Sequence, residues 1–172
     1  MHPGYRVRRA VLEELGLLAE VERASSRLFI PYGLDESFWG SVTAVGVLEQ
    51  VCLRGMLWVA ADAEDRPVGF ALVKHKDGGA HLDELGVHPA HGRRGLGTAL
   101  VEAVCGWARE QGLSAVTLCT LRDVPFNAPF YERLGFVELP ESEAGPDLRA
   151  VRRREQEAGF PMQRRVMMRR AL

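Results

Sequence analysis

The feature that most constrains this chain is a change of hydrophobic period across one glycine-rich loop. Ahead of the loop, His81–His88 reads as a strand. Behind it, Leu96, Ala99, Leu100, Ala103, Val104 and Trp107 recur at three and four residues, which predicts an amphipathic helix over Gly95–Gln111, stopped by Gly112. Pro89 to Gly95 is loop. The strand carries an internal switch of phase: Leu82 lies in the even register, Leu85 and Val87 in the odd one. One extra residue, a β-bulge near Glu84–Gly86, restores the phase.

Around this unit the remaining elements follow from pattern and punctuation. Tyr5–Arg9 reads as a first strand and Val11–Ser25 as a helix, broken by Phe29-Ile30-Pro31-Tyr32-Gly33. Thr43 is placed to cap a second helix over Ala44–Arg54, which Gly55 ends. Met56–Ala61 and Val68–His75 form a hairpin across Ala63–Pro67, and Asp77-Gly78-Gly79 turns the chain into the strand before the loop. Ser114–Thr120 is a strand and Pro125–Leu134 a brief helix capped by Gly135. A strand begins over Phe136–Leu139, and Pro146–Ala158 is a final helix before a last strand, Arg164–Arg170. This order is neither a regular strand–helix alternation nor a segregated layout. It implies an α/β (α+β) fold: a mixed, mostly antiparallel sheet with helices on both faces.

Composition sets limits. A length of 172 residues suits a single domain over 1–172 with one core, and 47% apolar with 26% charged residues is the balance of a soluble globular protein. No apolar run approaches the roughly 20 residues that cross a bilayer, and Met1–Arg9 has no signal-peptide core, so no membrane partner is expected. Cys52, Cys105 and Cys119 are odd in number and scattered, which argues against a disulfide framework and for a cytoplasmic setting. The formal charge of -1 is uneven: Arg149–Leu172 holds eight arginines against two glutamates. Those arginines fall on a helix and a strand, without the interleaved aromatics of a stacking platform, so nucleic acid is not the expected partner. The last strand and this charge asymmetry permit a homodimer.

Gly92-Arg93-Arg94-Gly95-Leu96-Gly97-Thr98 enters a helix, where unpaired N–H groups and the positive dipole end favour an anion. The spacing G-x-x-G-x-G reverses the dinucleotide fingerprint, and the Gly-Lys-Ser/Thr of a mononucleotide loop is missing. Taken alone, a phosphate site and a simple helix-entry turn fit the loop equally. A second segment decides between them. Asn127-Ala-Pro-Phe130-Tyr131-Glu-Arg-Leu134-Gly135-Phe136, with Leu85-Gly86-Val87-His88-Pro89 ahead of the loop, closely resembles the Gcn5-related N-acetyltransferase (GNAT) superfamily. The similarity is strongest over Leu82–Phe136. One departure is local: the family's usual Gln or Arg three residues before the first paired glycine is Gly92 here, and the arginines stand at 93 and 94.

The resemblance implies an acetyl-CoA-dependent N-acetyltransferase that moves the acetyl group to a primary amine, without a metal. The cofactor would meet the backbone of Leu85, Gly86 and Val87, the loop residues Arg93, Arg94, Gly95, Leu96, Gly97 and Thr98, and Asn127, which as a plain structural residue would instead cap the short helix. The family places a tyrosine at Tyr131 to protonate the departing thiolate, and a phenol of pKa about 10 suits that task. A lysine-like amine, pKa near 10.4, needs a base. Glu84 is the first candidate, Asp83 the second and Asp123 the third. Phe29, Tyr32, Phe38 and Trp39, with acidic Asp35 and Glu36 and the arginine-rich Asp147–Glu157, are the acceptor-side residues. A small-molecule amine, an amino acid, an aminoglycoside and a peptide N-terminus all fit. A non-catalytic acetyl-CoA-binding module is the competing reading. His81, His88 and His91 lack the convergent spacing of a zinc site.

Overall fold

The computed structural model describes residues 2–34 and 42–172; Asp35, Glu36, Phe38 and Trp39 of the acceptor-side set lie outside them. Seven strands hydrogen-bond in the order β1-β2-β3-β4-β5-β7-β6. They are β1 Arg6–Arg9, β2 Leu57–Ala61, β3 Pro67–Lys76, β4 Gly79–Val87, β5 Ala115–Leu121, β6 Val137–Glu138 and β7 Arg165–Ala171. The described α-helices are α1 Leu15–Ser26, α2 Val45–Leu53, α3 Leu96–Glu110, α4 Ala128–Arg133 and α5 Pro146–Glu157. The β4–β5 pair is parallel, whereas β1–β2, β2–β3, β5–β7 and β6–β7 are antiparallel. This is the mixed, mostly antiparallel sheet that the element order implies.

The chain forms two compact units. In the first, running through Lys74 and again over Asp83–Gly106, the apolar faces of α1 and α2 bury Leu15, Leu18, Leu48 and Val51. All five residues of β2 are buried, as expected of a strand covered on both faces. Glu14, only 8% exposed, is held by two hydrogen bonds from Arg8 at 2.7 and 2.8 Å. That pairing raises the affinity of the Arg8 guanidinium for its proton. Thr43 does not cap α2. Ala44 takes the cap position without a side-chain bond, while the Thr43 N–H and hydroxyl donate to the Glu22 carboxylate on α1 at 2.9 and 3.0 Å.

The second unit, His75–Leu82 with Trp107–Leu172, centres on β5 and β7. Leu139, Ala144, Leu148 and Met167 make a buried cluster with half-buried Cys119 against it. The start of α5 is closed from 70 residues away. Asp77, in the turn after β3 with φ 49°, accepts from the N–H groups of Asp147 and Leu148 at 2.8 and 3.0 Å, and its own N–H donates to Asp147. Gly145 is required beside it, because a Cβ there would fall 2.2 Å from Asp77 Cγ. β7 pairs with β5 along its length and with the two-residue β6 only at Met168 and Arg169. Three of the eight tail arginines have carboxylate partners nearby: Arg164 meets Asp123 at 2.8 Å, and Arg152 and Arg165 meet Glu155. No described helix is long and apolar enough to cross a membrane.

Candidate active site

The strand before the loop carries one more residue than its partner arm. Asp77 and Gly78 both have positive φ, the mark of a two-residue hairpin turn between Lys76 and Gly79. At the far end His88 N–H donates to Val68 C=O at 2.8 Å. Lys76 back to Val68 is eight steps, and Gly79 on to His88 is nine. The extra residue is the bulge that the Leu82/Leu85 phase switch calls for. It lies before Val87, since Gly69 already faces Val87: a Cβ on Gly69 would sit 3.1 Å from Val87 Cγ2 and 3.0 Å from Gly86 O.

This register directs the backbone at Val87. Successive N–H groups of an extended chain point to opposite sides, so with His88 N–H on Val68 C=O, Val87 N–H points away from β3. On that side the ladder to β5 pairs Ala80 with Val116, His81 with Thr117 and Leu82 with Leu118, and extends no further. Val87 therefore presents a backbone donor on an unladdered stretch of β4. Gly86, expected to meet the cofactor, owes its identity to packing as well, because a Cβ there would come within 3.0 Å of Ser25 Oγ and 3.2 Å of Phe70.

After Val87 the chain makes a 3-10 turn over Pro89–His91, capped by His88 Nδ1, which accepts from Ala90 N–H at 3.2 Å. Arg93 and Gly95 then take positive φ, 59° and 78°. The first α3 donor with an intrahelical acceptor is Ala99 N–H, on Gly95 O at 3.0 Å. The N–H groups of Leu96, Gly97 and Thr98 precede it and have no acceptor within the helix. Leu96 is 1% exposed, so its side chain anchors the loop in the core and only its backbone can face a ligand. The two arginines part company. Among the described residues Arg93 is exposed with no ion-pair or hydrogen-bond partner, whereas Arg94 donates to the Tyr5 hydroxyl and lies 5.4 Å from that ring's centroid. An anion with several oxygens fits this set: three helix-start donors and one uncommitted guanidinium.

In the second unit, Asn127 precedes α4 and Tyr131 lies within it. Asn127 makes no capping bond; its Oδ1 accepts from Leu121 N–H at the end of β5, at 3.4 Å. Tyr131 is 8% exposed and stacks edge-on with Phe130 and Phe136, at 5.0 and 5.6 Å between centroids. The helix is shorter than the sequence suggests, and Pro129, rather than Pro125, occupies its first turn. Of the candidate carboxylates, Asp83 is bonded to Lys74 Nζ at 2.5 Å and Asp123 to Arg164 Nε at 2.8 Å; Glu84 is half-buried. The histidines serve local structure: His81 Nδ1 meets Thr117 Oγ1 at 3.0 Å, and His91 Nδ1 meets the Tyr5 hydroxyl at 3.0 Å. Among the described residues no group of three or more His, Cys, Asp or Glu is arranged to hold a metal ion.

The profile of the Acetyltransferase (GNAT) family matches residues 26–136, well over half of the chain. The chain belongs to this family. Two curated relatives are mycothiol acetyltransferases: that of Clavibacter michiganensis is 38% identical over 84 residues, and that of Clavibacter sepedonicus 50% identical over 48. The matched stretches take up 47% and 28% of this chain but only 26% and 16% of those relatives. The GNAT fold is also seen in solved structures. The PaiA N-acetyltransferase of Thermoplasma acidophilum in complex with coenzyme A superposes with a TM-score of 0.74 at 18% identity, covering 98% of this chain and 99% of that one. N-acetylglutamate synthase of Neisseria gonorrhoeae, complexed with coenzyme A and N-acetyl-glutamate, gives 0.72 at 17% identity, over all of this chain and 36% of its own.

Tyr5 and Lys74 are polar residues to which sequence reading assigns no role of their own. Asp77 is legible there as a turn residue, but no local signal marks Tyr5.

Proposed function

We propose that this chain is an acetyl-CoA-dependent N-acetyltransferase that transfers the acetyl group directly to a primary amine. The observation that carries this reading is the conjunction, within one unit, of the outward-facing Val87 N–H and the free N–H groups of Leu96, Gly97 and Thr98. The loop donors and Arg93 would hold the pyrophosphate of coenzyme A, and the backbone from Leu85 to Val87 its pantetheine arm. Asn127 would add its amide NH2, since Oδ1 is already taken by Leu121. Arg94 is assigned no direct role, because Tyr5 holds it.

When bound, the thioester supplies an acyl carbon open to attack. Glu84 accepts a proton from the incoming ammonium, so that a neutral nitrogen lone pair is available. Val87 N–H donates to the oxyanion as the carbonyl becomes tetrahedral. Tyr131 would give its phenolic proton to the sulfur as the C–S bond breaks, and the surplus proton on the acylated nitrogen would restore the phenol, leaving an amide and a free thiol. Asp83 and Asp123 follow Glu84 as the second and third candidates. The acceptor is a small-molecule amine or a peptide amine.

Thiol release from acetyl-CoA, measured across amines, peptides and aminoglycosides, tests the reading. Turnover on one class is expected, and Tyr131→Phe should lower it by about 100-fold or more. Tight CoA binding without turnover on any acceptor would favour a non-catalytic binding module.

A further inference from the structure

We propose that Tyr5 is a positioning residue for the phosphate-binding loop, acting through Arg94 and His91; this rests on the assignment of that loop to coenzyme A. Tyr5 stands at the entry to β1, 86 residues before His91 in the chain, and its hydroxyl meets two loop residues at once. Arg94 Nη1 donates to the hydroxyl oxygen. The same hydroxyl lies 3.0 Å from His91 Nδ1, within hydrogen-bond reach. The clasp has further points. His2 N–H donates to Arg94 C=O at 3.0 Å, the His2 ring packs edge-on against Tyr5 at 6.3 Å, and His91 does so at 5.9 Å. Arg94 is thereby held by side chain and carbonyl, and His91 by its ring.

Between these two fixed residues lies Arg93, whose φ of 59° is uphill for any residue with a Cβ. Such a conformation persists where its surroundings over-determine it. Tyr5 supplies that constraint. Locking positions 91 and 94 sets the path of 92–95, and hence the direction in which the first N–H groups of α3 face. It also separates the paired arginines: Arg94 becomes a strut, and Arg93 remains for the ligand. The geometry gives Tyr5 no contact with reacting atoms, so its effect belongs in cofactor affinity and not in the chemical step.

Tyr5→Phe keeps the ring against Arg94 and removes only the hydroxyl. Calorimetric titration of the full chain with CoA should show affinity lowered about five- to tenfold. The kcat at saturating acetyl-CoA and the acceptor KM should stay within about twofold. Arg94→Gln should reproduce the loss, and the double variant should be no weaker than the worse single, because both remove one device. Amide hydrogen exchange without ligand gives a second readout: Tyr5→Phe should speed exchange over Gly92–Thr98 and leave β2 and β5 unchanged. Wild-type CoA affinity in Tyr5→Phe, additive losses in the double variant, or exchange that rises across the whole chain would each overturn the proposal. If the wild-type chain bound no CoA, the loop's ligand assignment would fail, and the exchange pattern would still decide whether Tyr5 orders the loop.

Discussion

The glycine-rich loop and the Asn127–Phe136 segment, the two regions assigned chemistry above, are built in opposite ways. In the loop, Arg93, Arg94, Gly95 and Thr98 are exposed, and Leu96 is the one buried anchor between Gly92 and Thr98. In the segment, Asn127, Ala128, Tyr131 and Phe136 are all less than a tenth exposed. The loop offers main-chain donors, whose identity survives most side-chain changes provided nothing bulky intervenes. The segment offers one phenol and one amide, fixed by packing, where the side chain itself is the function. A binding surface for a flexible anion is thus made from backbone, and a proton donor that must be placed accurately is set in a core.

Substitutions can break or sharpen this contrast. The largest effect is expected at the loop's anchor: Leu96→Ala removes a fully buried side chain and should cost about 2–5 kcal/mol in urea denaturation. A loss as small as that at an exposed position would show that the loop does not depend on the core. Next is Asn127→Ala, which strands the Leu121 N–H and should cost about 1–3 kcal/mol by the same measurement. Were it neutral, Asn127 would be present for the ligand alone, and the segment would be less packing-determined than described. The smallest effect is electrostatic and lies beside the segment. Hydrogen bonds from Arg122 hold the Glu138 carboxyl below its ordinary value of 4.5. Its folded pKa is the lower one, so its stabilisation is complete above 4.5 and disappears as pH falls through the lowered value. Glu138 is 53% exposed, which limits the contribution to a few tenths of a kcal/mol. Glu138→Gln should therefore flatten the acid limb of a Tm-versus-pH curve only slightly; an unchanged limb would assign the pair no role.

What was legible in the sequence was what repeats or punctuates. The apolar period behind the loop predicts Gly95–Gln111 and the helix runs Leu96–Glu110; Gly112, Gly135 and Gly159 take the positive φ that ends helices. The phase switch in β4 foretold its extra residue, because a strand's two faces cannot exchange without one. Polar side chains were harder. Thr43 has the composition of a cap yet bonds Glu22; Asp77 looks like a turn residue yet closes α5. Arg94 looks like a phosphate ligand yet bonds Tyr5. Each of these partners lies between 21 and 89 residues away, and is set by tertiary approach, which leaves no periodic trace. Side-chain roles in the loop were therefore the least readable part of the site, and its backbone the most.

The central claim is that the loop's backbone binds coenzyme A while Tyr131 acts on the chemistry. Its most direct test is a calorimetric CoA titration of Gly97→Val beside Tyr131→Phe. Gly97→Val should bind at least about tenfold more weakly, a loss of some 1.4 kcal/mol, because its side chain stands where the ligand must approach the helix start. Tyr131→Phe should bind like the wild type. Wild-type affinity in Gly97→Val together with lost affinity in Tyr131→Phe would contradict the account.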